Sequence, residues 1–295
     1  MEKNPEIVKK PDALNGVRLS FIGSGVMAEA IIAGLLKNQL VTPTEIVGSH
    51  PRQSRREELQ AKYDIRVVPS NREAVAFGHS PAASQPTNSI VILAVKPQRL
   101  GAILSELKGV LEPNQLVLSI VAGAKLETIA SALEHSLIVR AMPNTPAQIG
   151  QGMTAWIPTP ETGEAQQEQV RALLGALGHE LRVEEEKMID MATALSATGP
   201  TYIFLVMEAL VDAGVHMGFS RHVSQELVSQ TMLGSVLFAL DSHKHPAELR
   251  NMVTSPGGTS AEAIYQMEKG SLRTVLSKAV WSAYQRAVAL GTKSN

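Results

Sequence analysis

The sequence has no cysteine among its 295 residues, and aromatic side chains make up only 4% of it. The absence of cysteine excludes disulfide bonds and thiolate metal sites, and it fits a reducing compartment such as the cytoplasm. The formal net charge of −1 provides no attraction to nucleic acid or to an anionic membrane. Residues 1–15 are polar and lack the apolar core of a signal peptide, so we expect a loosely held N-terminal extension there.

Long apolar runs are also absent from the early part of the chain, where the longest, residues 90–95, is too short to span a bilayer. Short apolar segments alternate there with segments of helical periodicity. The predicted strands are residues 17–22, 45–49, 89–95, 116–121 and 137–141, with a weak strand at Val67. The predicted helices are residues 27–36, 55–63, 98–107 and 126–133. This alternation predicts an α/β, Rossmann-like, doubly wound sheet of parallel strands.

Strand patterns fade from Glu184 onward, which predicts an all-α C-terminal domain. The predicted helices are residues 189–195, 201–217, 223–240 and 271–290. Residues 201–210 are apolar nearly all round, which predicts burial, with a second subunit as one candidate partner. We place the domain boundary near Arg182, so that residues 16–182 form the first domain and residues 183–295 the second. Residues 79–88 are expected to form a polar, turn-rich loop.

A glycine-rich loop follows the first predicted strand directly. Its sequence, Gly23-Ser24-Gly25-Val26-Met27-Ala28, matches the pattern Gly-x-Gly-x-x-Ala of dinucleotide-binding folds. The first glycine permits a tight turn, the second lets the backbone approach a pyrophosphate, and the small sixth residue lets the helix pack on the strand. An ordinary glycine turn is the alternative. The position at the first strand of an alternating array favours a dinucleotide cofactor.

The end of the second predicted strand lacks the acidic residue that usually binds the ribose 2′-hydroxyl of NAD. Ser49 and Arg52 lie in this region instead. A guanidinium group suits a 2′-phosphate, so we expect NADPH in preference to NADH, with NADH as the second option. Arg55 and Arg56 follow, and a solvated helix face is the alternative for at least one of them.

Further candidate cofactor residues follow other predicted strands, at the edge where open α/β sheets bind ligands. They are Asn71 after the third strand, Ala94, Val95, Lys96 and Pro97 after the fourth, and Asn144 after the last. Simple turns are the alternative for all of them, and Asn71 has the further alternative of capping a helix.

A second glycine loop, Thr254-Ser-Pro-Gly-Gly-Thr-Ser260, lies between two predicted helices. Gly257 and Gly258 can adopt positive φ without steric cost. Ser255, Thr259 and Ser260 add hydroxyl groups, and a helix predicted to start near Ala261 adds free backbone N–H groups. Such a helix start binds small anions. Because the first loop is assigned to the dinucleotide, we expect the second loop to bind the substrate.

No metal site is predicted, because the eight histidines show no convincing ligand spacing. His243 and His245 flank a lysine in a polar stretch and are expected to be solvated. The acidic run Glu184-Glu-Glu186 is interpreted as a solvated helix start that complements the helix dipole, not as a pair of catalytic carboxylates.

Five motifs, in order along the chain, together resemble the pyrroline-5-carboxylate reductase family. They are Phe21-Ile-Gly-Ser-Gly-Val-Met-Ala-Glu-Ala30, Ala94-Val-Lys-Pro97, Arg140-Ala-Met-Pro-Asn-Thr-Pro146, Leu195-Ser-Ala-Thr-Gly-Pro-Thr-Tyr202 and Val253-Thr-Ser-Pro-Gly-Gly-Thr259. The resemblance runs from about Val17 to about Leu290.

The resemblance implies reduction of L-Δ1-pyrroline-5-carboxylate to L-proline with NADPH or NADH, the last step of proline biosynthesis. It implies an N-terminal Rossmann domain and a helical domain that interleaves with a second subunit, and the homodimers assemble further into rings, commonly decamers. The substrate site then lies at the dimer interface. The resemblance also implies substrate binding by Ser255 and the N–H groups of Gly257, Gly258 and Thr259.

By the same resemblance, the Ser260 hydroxyl lies near the ring nitrogen and orients it, which makes Ser260 the catalytic residue. Solvent is one source of the imine proton, and Tyr202 and Lys96 are unsupported alternatives.

The chain departs from the family pattern at three places. Val26 stands where Asn is common, Ala197-Thr198 replaces Gly-Ser, and Ser260 replaces a common Thr, which keeps the hydroxyl but loses a methyl group that restricts its rotamer. We expect activity to survive all three changes. A β-hydroxyacid dehydrogenase is disfavoured, since no lysine occurs between Lys187 and Lys244 to serve as its catalytic base. A non-enzymatic family member that binds a dinucleotide and acts through partners is the remaining alternative.

Overall fold

The computed structural model describes residues 12–79 and 88–292. The chain divides into two compact units: one runs to Thr198 and resumes at Ala283, and the other is Gly199–Ser282. The predicted loop at residues 79–88 and the predicted extension at residues 1–15 lie largely outside the described residues. The last part of that extension forms a short 3-10 turn, Asp12–Leu14, and Leu14 is fully buried, so core packing begins before residue 16.

An eight-stranded sheet forms the centre of the first unit. Its strands are β1 (Arg18–Ile22), β2 (Ile46–Ser49), β3 (Arg66–Val68), β4 (Ser89–Leu93), β5 (Leu116–Ser119), β6 (Ile138–Met142), β7 (Gly152–Pro158) and β8 (Gly178–Arg182). The spatial order is β3-β2-β1-β4-β5-β6-β7-β8. Strands β1 to β6 are parallel and correspond to the six predicted strands, which confirms the Rossmann-like sheet.

Helices cover both faces of this sheet. They are α1 (Val26–Lys37), α2 (Gln53–Tyr63), α3 (Asn71–Ala76), α4 (Pro97–Leu107), α5 (Leu126–Leu133), α6 (Glu164–Gly175) and α7 (Lys187–Ala192). Alternate residues of a strand enter opposite cores: Leu19 and Phe21 join one buried cluster, and Ile22 joins the other. The nearly continuous apolar sequence of β4 follows from burial on both faces.

The sheet is not parallel throughout, which corrects the prediction of a wholly parallel array. Strand β7 pairs with β6 in antiparallel fashion, and β8 pairs with β7 in parallel fashion. Neither strand was predicted, nor was α6 between them. Strand β8, Gly-His-Glu-Leu-Arg, is mostly polar because it lies at the sheet edge and is only partly buried, so its sequence lacks an apolar signal.

The second unit is entirely helical. It contains α8 (Gly199–His216), α9 (Arg221–Ser242), α10 (Pro246–Met252), α11 (Thr259–Lys269) and the first part of α12 (Leu272–Thr292). Helices α8 and α9 approach closely where a Cβ on Gly214 would lie 2.7 Å from Ser224 Oγ. All the predicted C-terminal helices are present, and α10 is an addition.

Helix α8 exposes much of the apolar surface that was predicted to be buried. Ile203, Phe204 and Leu205 are 51%, 61% and 65% exposed within this chain. By length and composition alone the stretch Lys187–His216 would also pass as a membrane span, a weak criterion that core helices of soluble proteins also meet. An apolar helix face of this kind requires a covering partner.

Candidate active site

The loop between β1 and α1 has the geometry that a Gly-x-Gly-x-x-Ala sequence requires. Gly23 has φ +87°, and a Cβ there would lie 2.6 Å from Val95 Cγ1, so only glycine fits. Gly25 precedes the first turn of α1, and a Cβ on it would meet nothing within 4 Å. Ala28 is fully buried. The open space beside Gly25, at a helix N-terminus, fits a cofactor pyrophosphate.

Hydrogen bonds to Ser49, at the end of β2, fix the position of this loop. The Gly23 N–H donates to Ser49 Oγ at 3.2 Å, and the Ser24 N–H donates to the Ser49 carbonyl at 3.0 Å. The Ser24 hydroxyl donates to the same carbonyl at 3.2 Å, and its side chain is fully buried. Ser24 therefore faces β2, whereas Val26, 66% exposed, projects from the first turn of α1.

Ser49 and Asn71, two predicted cofactor residues, are hydrogen-bonded to each other. Ser49 Oγ lies 2.7 Å from Asn71 Oδ1 and 3.3 Å from the Phe21 carbonyl, so its single hydrogen favours Asn71. Asn71 Nδ2 in turn donates to Glu106 of α4 at 2.8 Å. Asn71 is also the first residue of α3, but Ser70 provides the cap.

Arg55 has a structural role. Its guanidinium group forms ion pairs with Glu29 and with Glu58, and its Nε donates to the Ser24 carbonyl at 3.2 Å. Burial alone would raise the pKa of Glu29, but hydrogen bonds from Lys62, Arg55 and Tyr63 lower it to about 2, from 4.5. The ionised cluster therefore stabilises the fold above pH 4.5, and this stabilisation is lost as the pH falls towards 2.

Arg52 remains the side chain suited to a 2′-phosphate. It is exposed, and its guanidinium group has no ion pair or hydrogen bond within residues 12–79 and 88–292. Arg56, by contrast, donates to the carbonyls of His50 and Pro51 at 3.0 and 2.8 Å. Burial is the main cause that lowers the pKa of His50; the hydrogen bond with the Arg52 N–H opposes it, and the charges of the three nearby arginines add to the lowering.

The end of β4 packs directly over the first glycine of the loop. Besides Val95, the Ala94 carbonyl would lie 3.0 Å from a Cβ on Gly23. Lys96 is exposed and precedes α4 without a side-chain capping hydrogen bond, and Pro97 is the first residue of that helix. Gly23, Ala94 and Val95 therefore lie together where β1 and β4 end.

Asn144, after β6, contacts a segment that sequence reasoning did not connect to it. Its Oδ1 accepts from the Met153 N–H at 2.9 Å, and its Nδ2 lies 3.4 Å from both the carbonyl and the hydroxyl of Ser196. Ser196 belongs to one π-helical turn, Thr193–Ala197, which replaces the end of the predicted helix at residues 189–195. Such turns are frequent at functional sites, and the Leu195-Ser-Ala-Thr motif was the available signal.

The acidic run is not merely a solvated helix start. Arg140 of β6 is 2% exposed, and it pairs with Glu186 at 2.9 Å and with Asp190 at 2.5 Å. Glu186 also accepts from the Leu126 N–H at 2.8 Å, at the start of α5. This triad, in which Arg140 and Asp190 are buried and Glu186 is partly exposed, was missed, although an arginine inside the apolar strand Ile-Val-Arg-Ala-Met was a signal of a paired buried charge.

The second glycine loop forms a tight turn followed by a helix. The Gly258 N–H donates to the Ser255 carbonyl at 3.0 Å, and Gly257 has φ +70°, as a Pro-Gly turn of this type requires. Helix α11 begins at Thr259, two residues before the predicted start, with no side-chain cap. Among the described residues, the N–H groups of Gly257, Thr259 and Ser260 have no hydrogen-bond partner. The turn therefore presents free donors to an anion.

Within the described part of the chain, no group of three or more His, Cys, Asp or Glu side chains could hold a metal ion. Both glycine loops instead offer backbone N–H groups, which bind anionic groups of organic ligands.

We predict that Gly25→Ala weakens NADPH binding about 10-fold or more, because the added methyl group occupies the space beside the loop that the pyrophosphate needs. Stability should fall by less than about 1 kcal/mol, since the methyl group meets no protein atom. Gly23→Ala is the matched control. It should weaken NADPH binding and also lower the melting temperature, because its backbone angle is strained for alanine and the methyl group would collide with Val95. Unchanged NADPH affinity in Gly25→Ala, measured by fluorescence titration, would contradict the assignment of this loop.

Comparisons with known proteins agree with this arrangement. Residues 186–290 match the family described as "Pyrroline-5-carboxylate reductase dimerisation", and residues 18–123 match that described as "NADP oxidoreductase coenzyme F420-dependent". The pyrroline-5-carboxylate reductase of Synechocystis sp. is 39% identical over 277 residues, which cover 94% of this chain and 99% of the relative.

Two solved structures are similar over nearly their whole length. A pyrroline-5-carboxylate reductase from Coxiella burnetii has a TM-score of 0.81 at 33% identity and covers 92% of this chain and 98% of its own. The NADP-bound pyrroline carboxylate reductase of Plasmodium falciparum has a TM-score of 0.83 at 28% identity, with coverages of 94% and 99%. The predicted oxidoreductase activity and NADPH use are confirmed, and the non-enzymatic alternative is not favoured. The chain belongs to the pyrroline-5-carboxylate reductase family.

Proposed function

We propose that this chain reduces the C=N bond of L-Δ1-pyrroline-5-carboxylate to give L-proline, with the cofactor on the first glycine loop and the substrate on the second. The observation that carries the proposal is the turn from Ser255 to Ser260, which presents unpartnered N–H groups and hydroxyls in a chain that also has a dinucleotide loop. The reaction is the last step of proline biosynthesis, and we expect it to occur in the cytoplasm.

The substrate carboxylate binds the N–H groups of Gly257 and Thr259 and the hydroxyl of Ser255. The Gly258 N–H, which was also predicted to bind it, is already bonded to the Ser255 carbonyl and holds the turn in shape. Because α11 adds the positive end of its dipole, this turn favours an anion over a neutral ring. Ser260, the second residue of α11, orients the ring nitrogen through its hydroxyl. Positioning of this kind accounts for much of the rate acceleration when a cofactor carries the reactive group. Solvent provides the imine proton.

When bound, NADPH supplies the hydride that the imine carbon accepts. The chain's own contribution is to hold it: Gly23, Ser24, Gly25, Val26 and Met27 form the pyrophosphate loop. Ser49, Arg52 and Asn71 lie towards the adenosine end, and Ala94, Val95, Lys96, Pro97 and Asn144 line the edge of the sheet. Ser49 contributes to cofactor binding by orienting Asn71, since its hydroxyl hydrogen is directed at the Asn71 side chain.

The direct test is a paired assay with purified protein and pyrroline-5-carboxylate. We expect oxidation of NADPH, followed at 340 nm and dependent on the substrate, with a higher kcat/KM than for NADH. Proline should accumulate in equal amount. A protein that binds NADPH but turns over neither cofactor would contradict the proposed reaction.

Arg52→Ala should lower the ratio of kcat/KM for NADPH to that for NADH about 10-fold or more, because the 2′-phosphate loses a charge-assisted hydrogen bond. Activity with NADH should change little. Arg66→Ala is the control. Arg66 is the first residue of β3, whereas the cofactor is proposed at the carboxyl ends of the strands, and Arg66 already pairs with Glu73. An unchanged ratio in Arg52→Ala would refute the assignment of Arg52.

We also propose that residues 16–182 form the NADP-binding domain and residues 183–295 the dimerisation and substrate domain. The exposed apolar face of α8 and the dimerisation family match support a homodimer in which that face is covered. Assembly of dimers into decamers is the finer proposal. Sedimentation analysis of the purified protein distinguishes a dimer from a ring.

A further inference from the structure

Glu106 is a residue that neither the motifs nor the proposed reaction uses. It lies near the end of α4, is partly buried, and accepts a hydrogen bond from Asn71 Nδ2 at 2.8 Å. The ionised carboxylate can only accept, so it determines which end of the Asn71 amide faces it. The amide oxygen is then directed at the Ser49 hydroxyl, 2.7 Å away.

The orientation of the Asn71 amide also affects the first glycine loop, through Ser49. Because the Ser49 hydrogen is directed at Asn71, a lone pair of Ser49 Oγ remains to accept the Gly23 N–H at 3.2 Å. One hydrogen of Asn71 Nδ2 is engaged by Glu106, and the second has no acceptor among the residues that the structure describes, so it is available as a donor. The oxygens of a ribose and a phosphate accept hydrogen bonds, so an amide held in this orientation is matched to the adenosine half of a dinucleotide.

We propose that Glu106 is a positioning residue for the cofactor, which fixes the Asn71 amide as a donor to the adenosine half of NADPH and orders the Ser49–Gly23 contact. This rests on the proposed role of Asn71 in cofactor binding. Glu106 itself does not touch the reacting atoms, so its effect is on the affinity for NADPH and not on the hydride step.

Glu106 has two opposite effects on the affinity for NADPH: it orients the Asn71 amide, which favours binding, and it carries a negative charge, which opposes binding. Removing a negative charge near a phosphate-binding region would by itself strengthen the binding of an anion. In Glu106→Gln the amide of the new side chain can donate as well as accept, so Asn71 can reverse and present its oxygen to the cofactor. The proposal therefore predicts weaker binding, whereas a purely electrostatic role predicts tighter binding.

The test compares Glu106→Gln, Asn71→Ala and the double variant, with the full-length protein and NADPH. We expect Glu106→Gln to raise the Kd and the KM for NADPH about 3- to 10-fold, the effect of one hydrogen bond, with kcat unchanged. In the Asn71→Ala background the same change should no longer weaken NADPH binding, because the orientation effect is gone and only the loss of a negative charge remains. Glu164→Gln is the control, because Glu164 follows the end of β7, which pairs with the start of β6, and the cofactor is proposed at the opposite, carboxyl ends of the parallel strands.

The inference is overturned if Glu106→Gln binds NADPH more tightly or with an unchanged Kd, whatever its melting temperature, or if Glu106→Gln has an equal effect with and without Asn71. If Asn71→Ala leaves the Kd for NADPH unchanged, the role of Asn71 fails and the inference fails with it. The proposed reaction is judged separately, because the wild-type assay with NADPH and pyrroline-5-carboxylate does not depend on these variants.

Discussion

Ser260→Ala is expected to lower kcat with pyrroline-5-carboxylate about 10- to 100-fold and to leave the Kd for NADPH within about 2-fold of the wild-type value. The hydroxyl lies in the first turn of α11, where it has no hydrogen-bond partner among the described residues and is available to the ring nitrogen of a bound imine. Its loss removes an orienting contact without affecting the first glycine loop. Steady-state kinetics and a fluorescence titration with NADPH measure the two quantities.

Ser260→Thr is the matched control, since it keeps the hydroxyl and adds the methyl group that is common in the family. Activity should be equal to or above that of the wild type, because a β-branched side chain is restricted at χ1. A loss of NADPH affinity in Ser260→Ala would show that this loop belongs to the cofactor. Full activity in Ser260→Ala would remove Ser260 from the catalytic site.

Arg140→Met is expected to lower the free energy of unfolding by about 3–5 kcal/mol, the usual cost of leaving buried charges without their partner. Asp190, 8% exposed, and Glu186 would both lose the guanidinium group. Glu186 would keep the hydrogen bond from the Leu126 N–H. Urea denaturation at constant protein concentration measures the change.

Lys108→Met is the control for this prediction. Lys108 pairs with Glu134 at 2.8 Å, but both side chains are more than half exposed, so the change should cost less than about 1 kcal/mol. Arg140→Met combined with Asp190→Leu should recover part of the lost stability, because the second change removes a buried unpaired carboxylate. Equal effects of Arg140→Met and Lys108→Met would show that the triad has no special role.

Most of the fold was predictable because its signals are local. Strands β1 to β6 have short apolar sequences, and the helices between them have clear periodicity. Strands β7 and β8 were missed for a physical reason: β8 is an edge strand with little apolar content, and β7 follows a turn of prolines and glycines that indicates only a loop. The antiparallel pairing of β6 and β7 is a long-range contact without a local sequence signal.

In the candidate site too, features with a local sequence signal were predictable and long-range contacts were not. The two glycine loops were located because glycine at Gly23 and Gly257 is required by backbone angles, which are local. The partners of Ser49, Arg55 and Arg140 were not predicted. Ser49 bonds to Asn71, 22 residues away, Arg55 to Glu29, 26 residues away, and Arg140 to Asp190, 50 residues away.

The sequence by itself therefore determined the fold class, the family, the reduced cofactor and the two loops that are proposed to hold cofactor and substrate. The tertiary structure alone decided which polar side chains remain available to a ligand and which are already engaged within the protein: Arg52 has no side-chain partner among residues 12–79 and 88–292, whereas Arg55 is held by Glu29. The physical reason is that a helix or turn depends on neighbouring residues, while a hydrogen bond between distant residues depends on the packing of the whole chain.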